Sequence, residues 1–214
     1  MLEDFRFLAR VAKVMPKMTV PAPSVLHFRG GRAAISRKVY PDLERFFEDT
    51  ARAYRDVVQA FYAAGCRYLQ FDDTVWAYLC SDQEREAARS RSDDPEPLPR
   101  IYAEMINYAL ADKPTDLVVT THVCRGNFRS SWIAEGGYEP IAETLLAAPT
   151  TMAISSNTTA HGRAALSPCV FCRRAANVWC WASSPPSSVS SKAKNCCARA
   201  STRRPGMPPM GSCA

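Results

Sequence analysis

The run Asp116-Leu117-Val118-Val119-Thr120-Thr121-His122-Val123-Cys124 decides the fold class of this chain. Its first half is short, apolar and β-branched, the composition of a strand buried on both faces. Its end is chemically active: an imidazole and a thiol two residues apart, followed by Arg125-Gly126-Asn127-Phe128-Arg129. Buried strands that end in functional side chains and a glycine-containing loop belong to parallel α/β sheets, where sites are built at the carboxyl ends of strands.

The flanking sequence repeats this rhythm. Upstream, Arg67-Tyr68-Leu69-Gln70-Phe71-Asp72-Asp73 reads as a second short buried strand ending in two carboxylates. Before it, Leu43, Phe46, Phe47, Ala51, Tyr54, Val57, Val58 and Phe61 recur at helical spacing, opened by Tyr40-Pro41-Asp42 and stopped by Gly65. A strand-like run from Lys17 to Phe28 precedes the turn-forming Arg29-Gly30-Gly31. Between the two buried strands, Ser81 to Arg100 reads as a polar connection with Pro95, Pro97 and Pro99, leading into a helix over Ile101 to Ala111. Another helix is expected around Pro140 to Leu146. The periodicity fits a (β/α)8 barrel and a doubly wound sheet equally well.

Residues two apart on a strand point the same way, so His122 and Cys124 are expected to face one site. Imidazole and thiolate are natural zinc ligands. His-x-Cys spacing alone also fits a core cysteine beside a satisfied histidine. Asp72 and Asp73 face opposite sides of their strand, so at most one shares that site, and the other suits a strand end or a helix cap. His27, before Arg29-Gly30-Gly31, suits an anion contact or a structural role. Trp76 and Tyr78 read as packing rather than a stacking platform.

Composition breaks near residue 147. All 21 acidic residues lie at or before Glu143, and eight of the 27 basic ones lie at or after Arg163, leaving 19 basic against 21 acidic before it. The formal charge of +6 is therefore a property of the tail, and does not mark the body as a nucleic-acid or anionic-membrane binder. Six of nine cysteines also follow residue 150. The body has neither the disulfide framework of a small secreted domain, nor a signal peptide, nor an apolar run of about 20 residues, so a reducing cytoplasm is expected. The chain divides into a body, 1–146, and a low-order tail, 147–214, whose Cys169-Val170-Phe171-Cys172 has metal-motif spacing but lies in the aberrant stretch.

The tail fits a disordered basic segment, in which Trp179, Trp181, Phe171 and paired cysteines are unusual, or a stretch read out of frame, and the second reading is favoured. Rebuilding each codon from the third base of one residue and the first two of the next lets Met152 to Thr159 decode as Asp-Gly-Tyr-Phe-Leu-Glu-Tyr-Asp. Val178 to Cys197 decodes as an apolar Val-Val-Leu-Gly-Leu-Val stretch running into an acidic helix start. The missing acids return, and a frameshift near residues 145–152 is expected.

Tyr68-Leu-Gln-Phe-Asp72-Asp73-Thr74, His122-Val-Cys124-Arg125-Gly126-Asn127-Phe128 and Glu135-Gly-Gly-Tyr138-Glu-Pro140 closely resemble the catalytic half of cobalamin-independent methionine synthases, above all their short single-barrel bacterial relatives. The resemblance covers most of residues 1–146 and implies a partial (β/α)8 TIM barrel. It implies zinc held by His122, Cys124, a Glu on the next strand and a Cys near the carboxyl end. The reconstructed Glu straddles Ser156 and Asn157, and the last Cys falls beyond Ala214. Asp72 matches the aspartate that holds the amino-acid substrate. The implied reaction moves a methyl group from 5-methyltetrahydrofolate to the thiol of homocysteine. A chain that starts inside the barrel and lacks two of four zinc ligands is expected to show negligible activity. Competing expectations are a non-functional frameshifted product, a relative acting on another thiol or methyl donor, and a nucleic-acid module built on the basic tail.

Overall fold

The computed structural model describes residues 1–126, 133–147, 153–156 and 180–182. In it five strands form one parallel sheet in the order β1-β2-β3-β4-β5: β1 (Met18–Pro21), β2 (Tyr68–Asp72), β3 (Val118–Val123), β4 (Ala153–Ser156) and β5 (Cys180–Ala182). Spatial order follows chain order, without the reversal that defines a doubly wound sheet. Helices fill the crossovers: α1 (Leu2–Val11) before β1, α2 (Pro23–Phe28) and α3 (Leu43–Ala63) before β2, then α4 (Val75–Tyr78), α5 (Asp82–Ser90) and α6 (Leu98–Leu110) before β3, and α7 (Glu139–Ala147) before β4.

The extended run expected from Lys17 to Phe28 is half strand and half helix. Pro23 lacks the N–H a strand ladder needs and has the φ that a first helical turn uses, so the chain turns into α2 directly after β1. The long helix follows the sequence closely. The Asp42 side chain accepts from the Arg45 amide at 3.1 Å, while Ala51, Tyr54, Val58 and Phe61 form the buried stripe. Gly65 closes it at φ 96°, with the Cys66 amide returning to the Phe61 carbonyl at 2.9 Å.

Within the stretch read as a polar connection lies the helix α5. Only Ala88 of its nine residues is buried, so it carries no apolar stripe that periodicity could reveal. It is tied down by ion pairs from Arg85 and Arg89 to Glu96. α6 buries Leu98, Tyr102, Met105, Ile106 and Ala109, and lies beside α3.

One sheet face is sealed by these helices. Leu69, Phe71, Val119, Thr121 and Val123 are buried, and the Phe71 ring meets Tyr54 of α3 edge-on at 5.8 Å. Most alternate residues are more open: Val118 is 46% exposed and Asp72 is exposed, though Thr120 between Val118 and His122 is buried. No helix among the described residues is long and apolar enough to cross a membrane. Beyond the compositional break only α7's last residue, β4 and β5 are described; Cys169 and Cys172 lie outside the described residues.

Candidate functional site

The parallel register sets the site. Asp72 at the end of β2 pairs with His122 on β3, and His122 pairs in turn with Ser155 on β4. Register partners on adjacent strands point to the same face, with about 4.8 Å between strands. Phe71 and Thr121, one residue earlier, point into the helix-covered layer. Asp72 and His122 therefore share the open face at the carboxyl edge. Cys124 follows immediately after β3 and, like His122, is half-buried. These are the three residues singled out in the sequence, brought to one edge.

Asp73 takes the other course. It is completely buried; its Oδ1 accepts from the Ser24 hydroxyl at 2.7 Å and from the Val75 amide at 3.2 Å, securing the starts of α2 and α4. Its own amide donates to the His122 carbonyl at 2.9 Å, and the Ala22 amide donates to the Asp72 carbonyl at 3.0 Å. These bonds carry the ladder one step past the strands and lock the carboxyl edges of β1, β2 and β3 together. Burial pushes the Asp73 carboxyl up to about 7, against the opposing pull of the Ser24 and Val75 hydrogen bonds.

His27 is enclosed rather than offered to an anion. It is 1% exposed, its Nδ1 is 2.6 Å from the Tyr102 hydroxyl, and its Nε2 is 3.4 Å from Asp93. Asp93 also accepts from the Arg32 amide at 3.1 Å. Burial holds the His27 pKa below its usual value, partly offset by the Asp93 charge. Trp76 and Tyr78 are buried packing residues.

Arg125, directly after Cys124, organises the return to α7. Its guanidinium donates to the carbonyls of Ala134 at 3.3 Å and Gly136 at 2.5 Å, and lies 5.2 Å from the Tyr138 ring centroid. Its carbonyl accepts from the Ile133 and Ala134 amides. Burial raises the Tyr138 pKa, and the Arg125 charge opposes this. The Arg125–Gly136 clamp was not legible beforehand. An arginine in a glycine-containing loop carries no signal for which carbonyls it will reach.

In donor type, His122 and Cys124 suit zinc. In donor number they do not complete a site: among the described residues no group of three His, Cys, Asp or Glu is placed to hold a metal ion.

No protein-family model matches the chain. In sequence it is 50% identical over 146 residues to the Bacillus subtilis (strain 168) protein YxjH, and 46% identical over 147 residues to YxjG of the same organism, neither of them characterised. Each alignment covers 68% of this chain, and the chain spans 38% of the length of each of these relatives. In fold it is similar to a Listeria monocytogenes protein described as a candidate vitamin-B12-independent methionine synthase, with TM-score 0.62 and 33% identity. That match covers 94% of this chain and 57% of the other, and shows a fold shared with a methionine-synthase-like protein.

Proposed function

We propose that the chain carries half of a zinc-dependent thiol methyltransferase site of the vitamin-B12-independent methionine synthase kind, within part of a (β/α)8 barrel. The observation that carries the reading is the Asp72–His122 register pair, with half-buried Cys124 directly after the strand end. Sequential parallel strands and the Listeria structural likeness support the barrel.

In this reading Asp72 holds the ammonium group of an amino-acid thiol, homocysteine, by a charge-assisted hydrogen bond at the exposed strand end. His122 and Cys124 present their donor atoms beside it. The Asp73 and Ala22 ladder bonds fix the spacing of the three strand ends. A zinc ion, when bound, supplies the positive charge that keeps a substrate thiol ionised at neutral pH. The methyl donor is 5-methyltetrahydrofolate, both substrates are small molecules, and the compartment is the reducing cytoplasm.

A second reading concerns the tail and accounts for the missing donors. It takes residues 147–214 as translated out of frame, so that the chain as written is inactive. The return of acidic residues and of an apolar run when Met152–Thr159 and Val178–Cys197 are decoded in the shifted frame supports it. The 146-residue length of the YxjH match, equal to that of the body before the break, also supports this division.

The test is zinc titration of the purified chain, with a methyl-transfer assay on 5-methyltetrahydrofolate and homocysteine. Weak zinc binding lost in His122→Ala, without methionine formation, is expected. Zinc binding unaffected by His122→Ala and Cys124→Ser would overturn the site.

A further inference from the structure

Two features on the outer, helical layer complement each other. α1 is anchored to α3 through Phe5, whose ring meets Phe61 edge-on at 6.0 Å. Leu2 and Leu8 are half-buried, but two further apolar residues are uncovered: Phe7 is 60% and Val11 58% exposed, and Val14, just past the helix, is 81% exposed. Phe7 and Val11, four apart on the helix, share one face flanked by exposed Arg6 and Arg10, and exposed Lys13 and Val14 follow just past the helix end. An apolar stripe with a basic rim is what one side of a helix-in-groove contact presents.

The other feature is a cleft of about 850 Å³ between α6 and the amino-terminal half of α3. Phe47, Ile101 and Met105 give it an apolar floor, and Glu44, Glu48 and Asp94 give it an acidic rim. Arg52 and Arg100 also line it, but each is bonded to a carboxylate, Asp49 at 2.8 Å and Glu104 at 2.8 Å. Glu44 and Glu48 enter no salt bridge among the described residues, so the rim is acidic on balance.

A copy cannot fill its own cleft. α1 is held at Phe61, and Phe47 lies 14 residues earlier on the same helix. At 1.5 Å per residue that is about 21 Å away.

We propose that this chain self-associates by seating the Phe7–Val11 face of α1 in the α3–α6 cleft of a second copy, with Arg10 and Lys13 against Glu44 and Glu48. The contact is independent of the thiol site, because none of Asp72, His122 and Cys124 lines the cleft.

Sedimentation velocity of the full chain over two decades of concentration tests this, with Phe7→Glu, Glu48→Lys and the double variant Arg10→Glu/Glu48→Lys. All three positions are exposed, and thermal melts by circular dichroism check that the fold is retained. The expected result is reversible, salt-sensitive association, weakened at least about tenfold by either single change and largely restored in the charge-swapped double variant. Three outcomes overturn the proposal: a monomer at every concentration, association or aggregation unaffected by Phe7→Glu, and association sensitive to Phe7→Glu but indifferent to Glu48→Lys. The last would mean that the stripe docks elsewhere.

Discussion

Asp72 and Asp73 are adjacent in the chain and opposite in environment: Asp72 is exposed beside His122, while Asp73 is wholly buried against Ser24. The alternation of a strand separates them: it gives Asp73 an architectural role and leaves Asp72 open at the edge where the proposed ligand contact would form.

Asp73 is the source of a pH-dependent stability. Its folded pKa, about 7, stands above the ordinary 3.8, so between these values the folded chain binds more protons than the unfolded one. Its contribution is fully present below pH 3.8 and is lost as pH rises through about 7. Urea midpoints measured at pH 5 and pH 8 are expected to fall by the equivalent of a few kcal/mol toward pH 8. Asp73→Asn keeps an acceptor for Ser24 and removes the ionisation, so its midpoints should differ far less between the two pH values. Because His27, with its lowered pKa, acts in the opposite direction over this window, the deciding quantity is the wild-type midpoint minus that of Asp73→Asn: a difference that does not fall toward pH 8 would contradict the assignment.

The His27–Tyr102 contact joins α2 to α6, with Asp93 on the other ring nitrogen. Tyr102→Phe removes the hydroxyl and leaves a buried imidazole nitrogen without a partner, at a cost of about 1–3 kcal/mol. Denaturant unfolding checks this. The thiol site is reached through different strands, so any residual zinc binding should be unchanged in the variant.

Gly136 stands where only glycine fits. Its φ is 111°, and a Cβ there would come 2.4 Å from the Cys80 carbonyl oxygen. Gly136→Ala should cost more than about 1 kcal/mol and loosen the Arg125 clamp. Hydrogen exchange at the Ile133 and Ala134 amides, both bonded to the Arg125 carbonyl, should accelerate. Unchanged exchange there would show that the clamp does not depend on this glycine.

How much was legible in the sequence followed the strength of each local pattern. α3 announced itself through an apolar stripe, Asp42 at its start and Gly65 at its end. β2 and β3 announced themselves as short apolar runs, and the shared edge of Asp72 and His122 followed once their register was known. α5 was hidden because it buries almost nothing, and the end of β1 was hidden because Pro21 and Pro23 fit an extended chain as well as a helix start. The choice between barrel and doubly wound sheet depends on strand order, a long-range property to which periodicity is blind.

The zinc half-site and the shifted frame can be tested together. β4 pairs with β3 through His122↔Ser155 and Val123↔Ser156, and the codon that would restore a glutamate straddles Ser156 and Asn157 at the carboxyl end of β4. The restored carboxylate would therefore be encoded at the end of the strand adjacent to the one carrying His122. Two donors hold zinc weakly, and a third adjacent anionic donor brings the set to three of the four protein ligands that the resemblance implies. A coding sequence with the frame restored near residues 145–152 should bind zinc more than about a hundredfold more tightly than the chain as written, measured by competition with a chromogenic chelator. Exchanging the restored glutamate for glutamine should return most of that gain, and Cys124→Ser should do the same. Equal zinc affinity in both frames, or stop codons throughout the alternative frame, would sever the tail from the site and leave His122 and Cys124 as an edge of the sheet without a metal role.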